Sequence, residues 1–166
     1  MKVTASRRIT AIAGAVALAS IALTGCATPA PAPVVPTVTN AWIKAVPDTA
    51  MMDMTGMFGT FSNSSNDVIY ITGGVASDKT LTETKLDAHE VVKDAAGKMV
   101  MQEVKTGIPI PAHGSVTLKP GSYHIMFWKL KKPIVAGDKV DVTVKFSNGT
   151  SLDVTADARD ISNYAG

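Results

Sequence analysis

Two histidines and two methionines, His89, Met101, His124 and Met126, are the residues of this chain best suited to metal chemistry. Imidazole nitrogen suits copper in either oxidation state and thioether sulfur suits Cu(I), whereas magnesium, calcium and manganese prefer oxygen donors. Cu(I) is therefore the first expected ligand, with Cu(II) second. Methionine usage points the same way. Apart from Met1, the methionines fall into two groups: Met51, Met52, Met54 and Met57, and Met99, Met101 and Met126. Core filler would scatter among the elements instead.

These donors must be positioned by strands. Between residues 41 and 158 the chain reads as short alternating or β-branched runs punctuated by turn residues, with little sustained helical period. Residues 41–45, 57–61, 68–75, 115–118, 123–130, 140–146 and 151–156 are expected strands, with Gly73-Gly74 allowing a bend. Val140, Val142, Val144 and Phe146 share one face of a strand, and Asp141, Thr143 and Lys145 share the other. Asn148-Gly149 in the following turn favours a tight type I′ hairpin. Many short strands in a domain of roughly 120 residues predict an all-β Greek-key sandwich.

On such a scaffold His124 and Met126, two residues apart, project to one face, and Tyr123, Ile125 and Phe127 to the other. His89 and Met101 flank residues 93–98, a hairpin loop whose type I turn ends in a left-handed Gly97. A three-residue loop between Asp94 and Lys98 sets Val91 opposite Met101 and makes His89 its diagonal neighbour, ~7–8 Å away at the backbone. One residue more or fewer turns Met101 to the opposite face. Taken singly, a histidine is usually a surface or hydrogen-bonded residue and a methionine a core residue; the joint placement of the four outweighs that. His113 lies in the turn Pro111-Ala112-His113-Gly114 and is left out. Glu90 could orient an imidazole, although a solvated strand carboxylate is the plainer reading. Met51, Met52, Met54, Met57 and Met99 form a possible accessory metal surface or transfer relay, set against partial burial as adaptable gap-fillers.

The N-terminus carries a different message. Lys2, Arg7 and Arg8 precede an apolar run over residues 9–23 that ends in Leu23-Thr24-Gly25-Cys26. The run is shorter than the ~20 apolar residues of a membrane span, and the order of basic, apolar and small residues is that of a secretory signal. Leu-Thr-Gly-Cys resembles a bacterial lipobox, in which cleavage leaves Cys26, the only cysteine, as the lipidated first residue. Residues 1–25 are expected to be removed, and residues 26–40, with Pro29, Pro31, Pro33 and Pro36, to form an extended spacer at ~3.1 Å per residue. The folded domain is expected over 41–158 and a short tail over 159–166. Without the signal, the 16 basic and 14 acidic residues become 13 and 14. No basic stripe is interleaved with aromatics, which excludes nucleic acid as a partner.

At His89-Glu90, Met101, Tyr123-His124-Ile125-Met126 and Leu118-Lys119-Pro120-Gly121 the chain resembles the periplasmic PCu(A)C-type copper chaperones. Ala41-Trp42, Met54-Thr55-Gly56, Phe58-Gly59-Thr60, Asn63, Ile110-Pro111-Ala112 and Gly137-Asp138 extend the match over nearly the whole domain. The resemblance implies a cupredoxin-like β-sandwich and carries the copper-ligand roles onto His89, Met101, His124 and Met126. It also implies an acceptor such as cytochrome c oxidase, at its copper centre, or an assembly factor of that enzyme. The hairpin is one residue longer than the usual family pattern, and Val91 stands where a further methionine often occurs.

The implied protein is not an enzyme but a copper carrier, lipid-anchored on the outer side of a bacterial cell membrane. A blue-copper centre requires a cysteine thiolate, and the sole cysteine is in the lipobox. A hydrolase would need Ser122 and His124 as nucleophile and base, with no third group to orient them. A metal-free adhesion or scaffold lipoprotein is the alternative, because a sandwich on a spacer suits it equally.

Overall fold

Ten strands account for nearly all regular structure in the computed structural model, which describes residues 32–82 and 85–162. They are β1 (Thr37–Lys44), β2 (Thr55–Ser62), β3 (Ile69–Ala76), β4 (Asp87–Lys93), β5 (Met99–Glu103), β6 (Ile108–Ile110), β7 (Ser115–Leu118), β8 (His124–Phe127), β9 (Lys139–Phe146) and β10 (Ser151–Arg159). Among the described residues there is no helix. The expected export signal, Cys26 and the start of the spacer lie outside the described residues.

The strands follow one hydrogen-bonded path, β5-β4-β8-β2-β1-β10-β9-β3-β6, with β7 also pairing β2. Only β1 and β10 run parallel. The path curls over on itself. Phe61 of β2 and Phe146 of β9 are three strands apart in the order, yet their ring centroids lie 6.5 Å apart across the core. Gly74 closes the curl: its amide donates to the Leu86 carbonyl at 2.9 Å, and its carbonyl accepts from the Leu86 amide at 3.0 Å. The long crossovers, β2 to β3 and β8 to β9, join strands that are not neighbours in the order, as in a Greek key, and the all-β, cupredoxin-like sandwich is the observed architecture.

Period-two patterning builds the core as expected. Val140, Val142, Val144 and Phe146 of β9 are all buried, and opposite them Val154 and Ala156 of β10 pair with Val142 and Val140. Ile125 and Phe127 of β8, both fully buried, anchor that short strand. At about 1.5–3 kcal/mol for each such side chain, they hold it against the sandwich interior.

Four local expectations need correction. The first strand begins at Thr37, inside the stretch expected to be spacer, because Thr37 and Val38 already pair with Ser62 and Phe61. The strand expected over 123–130 stops at Phe127, since Lys129 adopts a left-handed φ of 52°. Gly73-Gly74 makes no bend that ends a strand; β3 runs through it with a register shift against β9. A Cβ on Gly73 would fall 2.1 Å from the Leu86 carbonyl oxygen, so close backbone approach is what requires glycine there. The β9–β10 hairpin forms where expected, but Gly149 alone of the Asn-Gly pair has positive φ. Hydrogen bonds from the Gly149 amide to the Phe146 carbonyl and from the Phe146 amide to the Thr150 carbonyl define a three-residue loop, a type I turn with a glycine bulge, instead of type I′.

The unit Ala32–Gly166 is compact and carries this core within itself.

Candidate metal centre

β8 lies between β4 and β2, and its register sets up the site. His124 stands opposite His89 on β4, and Met126 stands opposite Gly56 on β2. Because Ile125 and Phe127 take the inner face, His124 and Met126 project outward, as the spacing predicts. The β4–β5 hairpin has the three-residue loop: the Asp94 amide donates to the Lys98 carbonyl and the Gly97 amide to the Asp94 carbonyl, with Gly97 at φ 79°. Val91 therefore pairs with Met101, and Met101 is the diagonal neighbour of His89.

Although this face points away from the main core, much of it is buried. His89 is 7% exposed, His124 4% and Met126 3%, while Met101 on the outermost strand is 50% exposed. A tier of aromatic rings covers the imidazoles. The Trp128 ring meets His89 edge-on at 5.5 Å between centroids, Phe58 lies 6.3 Å from His124, and Trp42 packs on Phe58 at 4.4 Å. The Arg159 guanidinium sits 5.7 Å over Trp42. Gly56 makes room for this tier, since a Cβ there would fall 2.9 Å from the Phe58 ring and 3.5 Å from the His124 ring.

The two imidazoles face each other with centroids 6.0 Å apart. His124 Nδ1 lies 3.0 Å from the Ser122 carbonyl oxygen. Since a carbonyl only accepts, Nδ1 carries the proton and Nε2 presents a lone pair. Both His124 Nε2 and His89 Nδ1 are buried and have no hydrogen-bond partner. An unpaired buried polar atom costs about 1–3 kcal/mol, so two in one place call for an explanation. Burial holds the His124 pKa below its ordinary value; the Ser122 carbonyl opposes that shift and the neighbouring His89 adds to it. The imidazole is thereby kept neutral, the form that donates to a metal.

His124 and Met126 line a cleft of about 260 Å³ together with Met101, Met52, Met54, Phe58 and Val91. Among the described residues, no group of three His, Cys, Asp or Glu side chains converges on a possible metal position. Beside His124 the cleft offers thioethers, whose chemistry suits soft ions. A cleft of about 280 Å³ lined by Asp78, Lys132, Asp138, Lys139 and Asp141 has none of these donors.

The accessory methionines separate. Met52 and Met54 reach the cleft; Met51 is 87% exposed and does not line it, and Met99, 51% exposed, sits further out on β5. Met57 corrects the expectation of an accessory donor: it is fully buried in the hydrophobic core, on the inner face of β2. Glu90 accepts a hydrogen bond from Gln102 in an exposed pair, the plainer of its two readings. His113 lies on the surface at φ 52° with Nε2 2.8 Å from Asn66 Oδ1. Ser122 meets His124 through its carbonyl and not its hydroxyl, which is no nucleophile–base arrangement. Sequence reading missed the tier of Gly56, Phe58, Trp42 and Trp128. The alternation 124, 126, 128 could have drawn Trp128 to the same face.

Comparison with known proteins gives the family and the fold. A family model described as "Putative lipoprotein LpqE-like" matches residues 36–158. The chain is 36% identical over 163 residues to "Putative lipoprotein Lxx21020" of Leifsonia xyli subsp. xyli (strain CTCB07), covering 91% of this chain and 93% of that protein. The apo PCuAC domain from PmoF1 shares the fold, with a TM-score of 0.58 at 15% identity over 75% of this chain and 93% of that one. The solution structure of CuI-DR1885 from Deinococcus radiodurans is 27% identical with a TM-score of 0.51, covering 73% of this chain and 76% of that one. By sequence match and by fold, the chain belongs to the LpqE-like family, whose architecture here is that of the PCuAC domains.

Proposed function

We propose that this protein is an extracytoplasmic copper chaperone that binds Cu(I) through His89, Met101, His124 and Met126. The observation that carries the proposal is a pair of imidazoles 6.0 Å apart, each with a buried, unpartnered nitrogen, of which His124 lines a cleft with thioether walls. A soft cation bound there would satisfy both nitrogens at once, and the neutral His124 needs to shed no proton to receive it. The likeness to CuI-DR1885 supports copper as the cargo. The thioethers favour Cu(I), and the imidazole pair leaves room for Cu(II) as well.

The site is a carrier and not a catalyst: ligand exchange alone moves the ion. A set of two imidazoles and two thioethers lacks the thiolate that would bind Cu(I) hardest, so an acceptor offering thiolates can withdraw it. Cytochrome c oxidase, at its copper centre, or one of its assembly factors is the acceptor we propose. Lipidation of Cys26 after removal of residues 1–25 would tether the domain by its Pro-rich spacer to the outer side of the membrane, and the lipoprotein relative supports that anchoring.

Competition with a chromophoric Cu(I) chelator tests the reading on the Ala32–Gly166 unit. One Cu(I) per chain is expected, with affinity falling at least a hundredfold in His124→Ala and about tenfold or more in Met126→Leu, and unchanged in His113→Ala. If wild type competes no better than a chain carrying both His124→Ala and Met126→Leu, the copper role is gone and a metal-free scaffold takes its place.

A further inference from the structure

The cleft holds more sulfur than the four-donor site uses. Met52 and Met54 come from the segment between β1 and β2, remote in sequence from the other donors, and both line the same walls as Met101 and Met126. The segment is tied down at several points. The Met52 amide donates to the Asp48 carbonyl at 3.2 Å, the Leu130 amide to the Asp53 carbonyl at 2.7 Å, and the Thr55 hydroxyl to the Lys44 carbonyl at 2.7 Å. Its methionines are therefore carried on a fixed frame, while their unbranched side chains remain adaptable.

Exposure grades the donors from inside to rim. His124 and Met126 are buried, Met54 is half-buried, and Met52 and Met101 are 45% and 50% exposed. The cleft of about 260 Å³ also exceeds the need of one ion, being roughly nine times the ~30 Å³ share of a water molecule.

We infer that Met52 and Met54, with Met101, form an outer all-thioether position for Cu(I), through which the ion passes between solvent or acceptor and the inner imidazole pair. Three thioethers make a soft, weakly held site that discriminates against hard cations. Met101 is common to both positions, so the ion can move inward by exchanging Met52 and Met54 for Met126 and the imidazoles one at a time. No oxidation or proton transfer is involved. The inference rests on the copper-chaperone reading above, and the test separates the two.

The Ala32–Gly166 unit is labelled with ¹³C at the methionine methyl groups and titrated anaerobically with Cu(I). The first equivalent is expected to shift Met101 and Met126, and the second to shift Met52 and Met54 and to move Met101 again as it is shared between the two positions. In Met52→Leu/Met54→Leu, first-equivalent affinity should stay within threefold of wild type while capture of Cu(I) by a chromophoric chelator slows about tenfold. If Met52 and Met54 stay unmoved through two equivalents while Met101 and Met126 respond, the outer position is overturned and the inner site stands. If no methionine responds, both readings fall. Capture kinetics identical in wild type and the double variant would also overturn the outer position.

Discussion

Asn63 and the pair His89–His124 are all buried polar residues of one small sandwich, yet their hydrogen-bonding states are opposite. The Asn63 side-chain amide donates to the carbonyls of Asp67, Ile110 and Pro111, and its oxygen accepts from the amide and hydroxyl of Ser65. Both of its polar atoms are in use, and it knits the end of β2 to the β6–β7 connection. His89 and His124 each keep one buried nitrogen without a partner. Folding alone explains the first arrangement, because buried polar groups are almost always satisfied. Folding alone does not explain the second, whereas the proposed Cu(I) site does.

That contrast can be broken by measuring stability and binding side by side. Asn63→Ala should lower the unfolding free energy by about 3 kcal/mol, since it strands several carbonyls away from solvent, and should leave Cu(I) affinity close to wild type. His124→Leu should do the reverse. Removing a buried nitrogen that has no partner relieves a cost, and losing the Ser122 contact restores one, so apo-protein stability should stay within about 1 kcal/mol of wild type while binding collapses. Urea unfolding and chelator competition on both variants check this. A large stability loss in His124→Leu would mean that the imidazole is a structural residue.

A smaller effect is expected at Gly56, where space and not a donor is at stake. In Gly56→Ala the new methyl would crowd the Phe58 ring at 2.9 Å and approach His124 at 3.5 Å. The chain should fold, because Phe58 can shift outward, but the covering over His124 loosens. Cu(I) affinity should fall about tenfold with Phe58 retained and recover partly in Gly56→Ala/Phe58→Leu. Unchanged affinity in Gly56→Ala would show that the aromatic tier does not position the imidazole.

The inner half of this design was readable in the chain because it is local. Alternation in β9 and β10 fixes their buried faces and two-residue spacing fixes the common side of His124 and Met126, while Asp94 and Gly97 suggest a three-residue loop whose length, and with it the pairing of Val91 with Met101, only the structure decides. What could not be read depends on partners distant in sequence. β6 has three residues with Pro109 at its centre, too short to show a period and tolerable only because it is the edge of the path. Met52, Met54 and Met57 are neighbours in the chain, but only the pairing of Met57 with Ile43 and Ile125 reveals that it belongs to the core while the other two reach the cleft. Gly56 and Phe58 alternate with it on β2, yet nothing local says that β8 lies alongside.

The weakest expected effect lies in proton linkage at His124. Burial holds its pKa below the ordinary 6.5, so in the native protein the neutral ring persists to lower pH than in the unfolded chain. As pH falls through 6.5 the unfolded state takes up a proton that the native state still refuses, and native stability declines with it; above 6.5 neither state binds the proton and the contribution vanishes. Wild type should therefore lose more stability between pH 7.5 and pH 5.5 than His124→Leu, which has no such group. Parallel declines would assign the acid sensitivity to other groups. Bound copper should oppose the loss, because an ion on Nε2 excludes the proton from the same lone pair, and the pH dependence of the copper-loaded protein should approach that of the leucine variant.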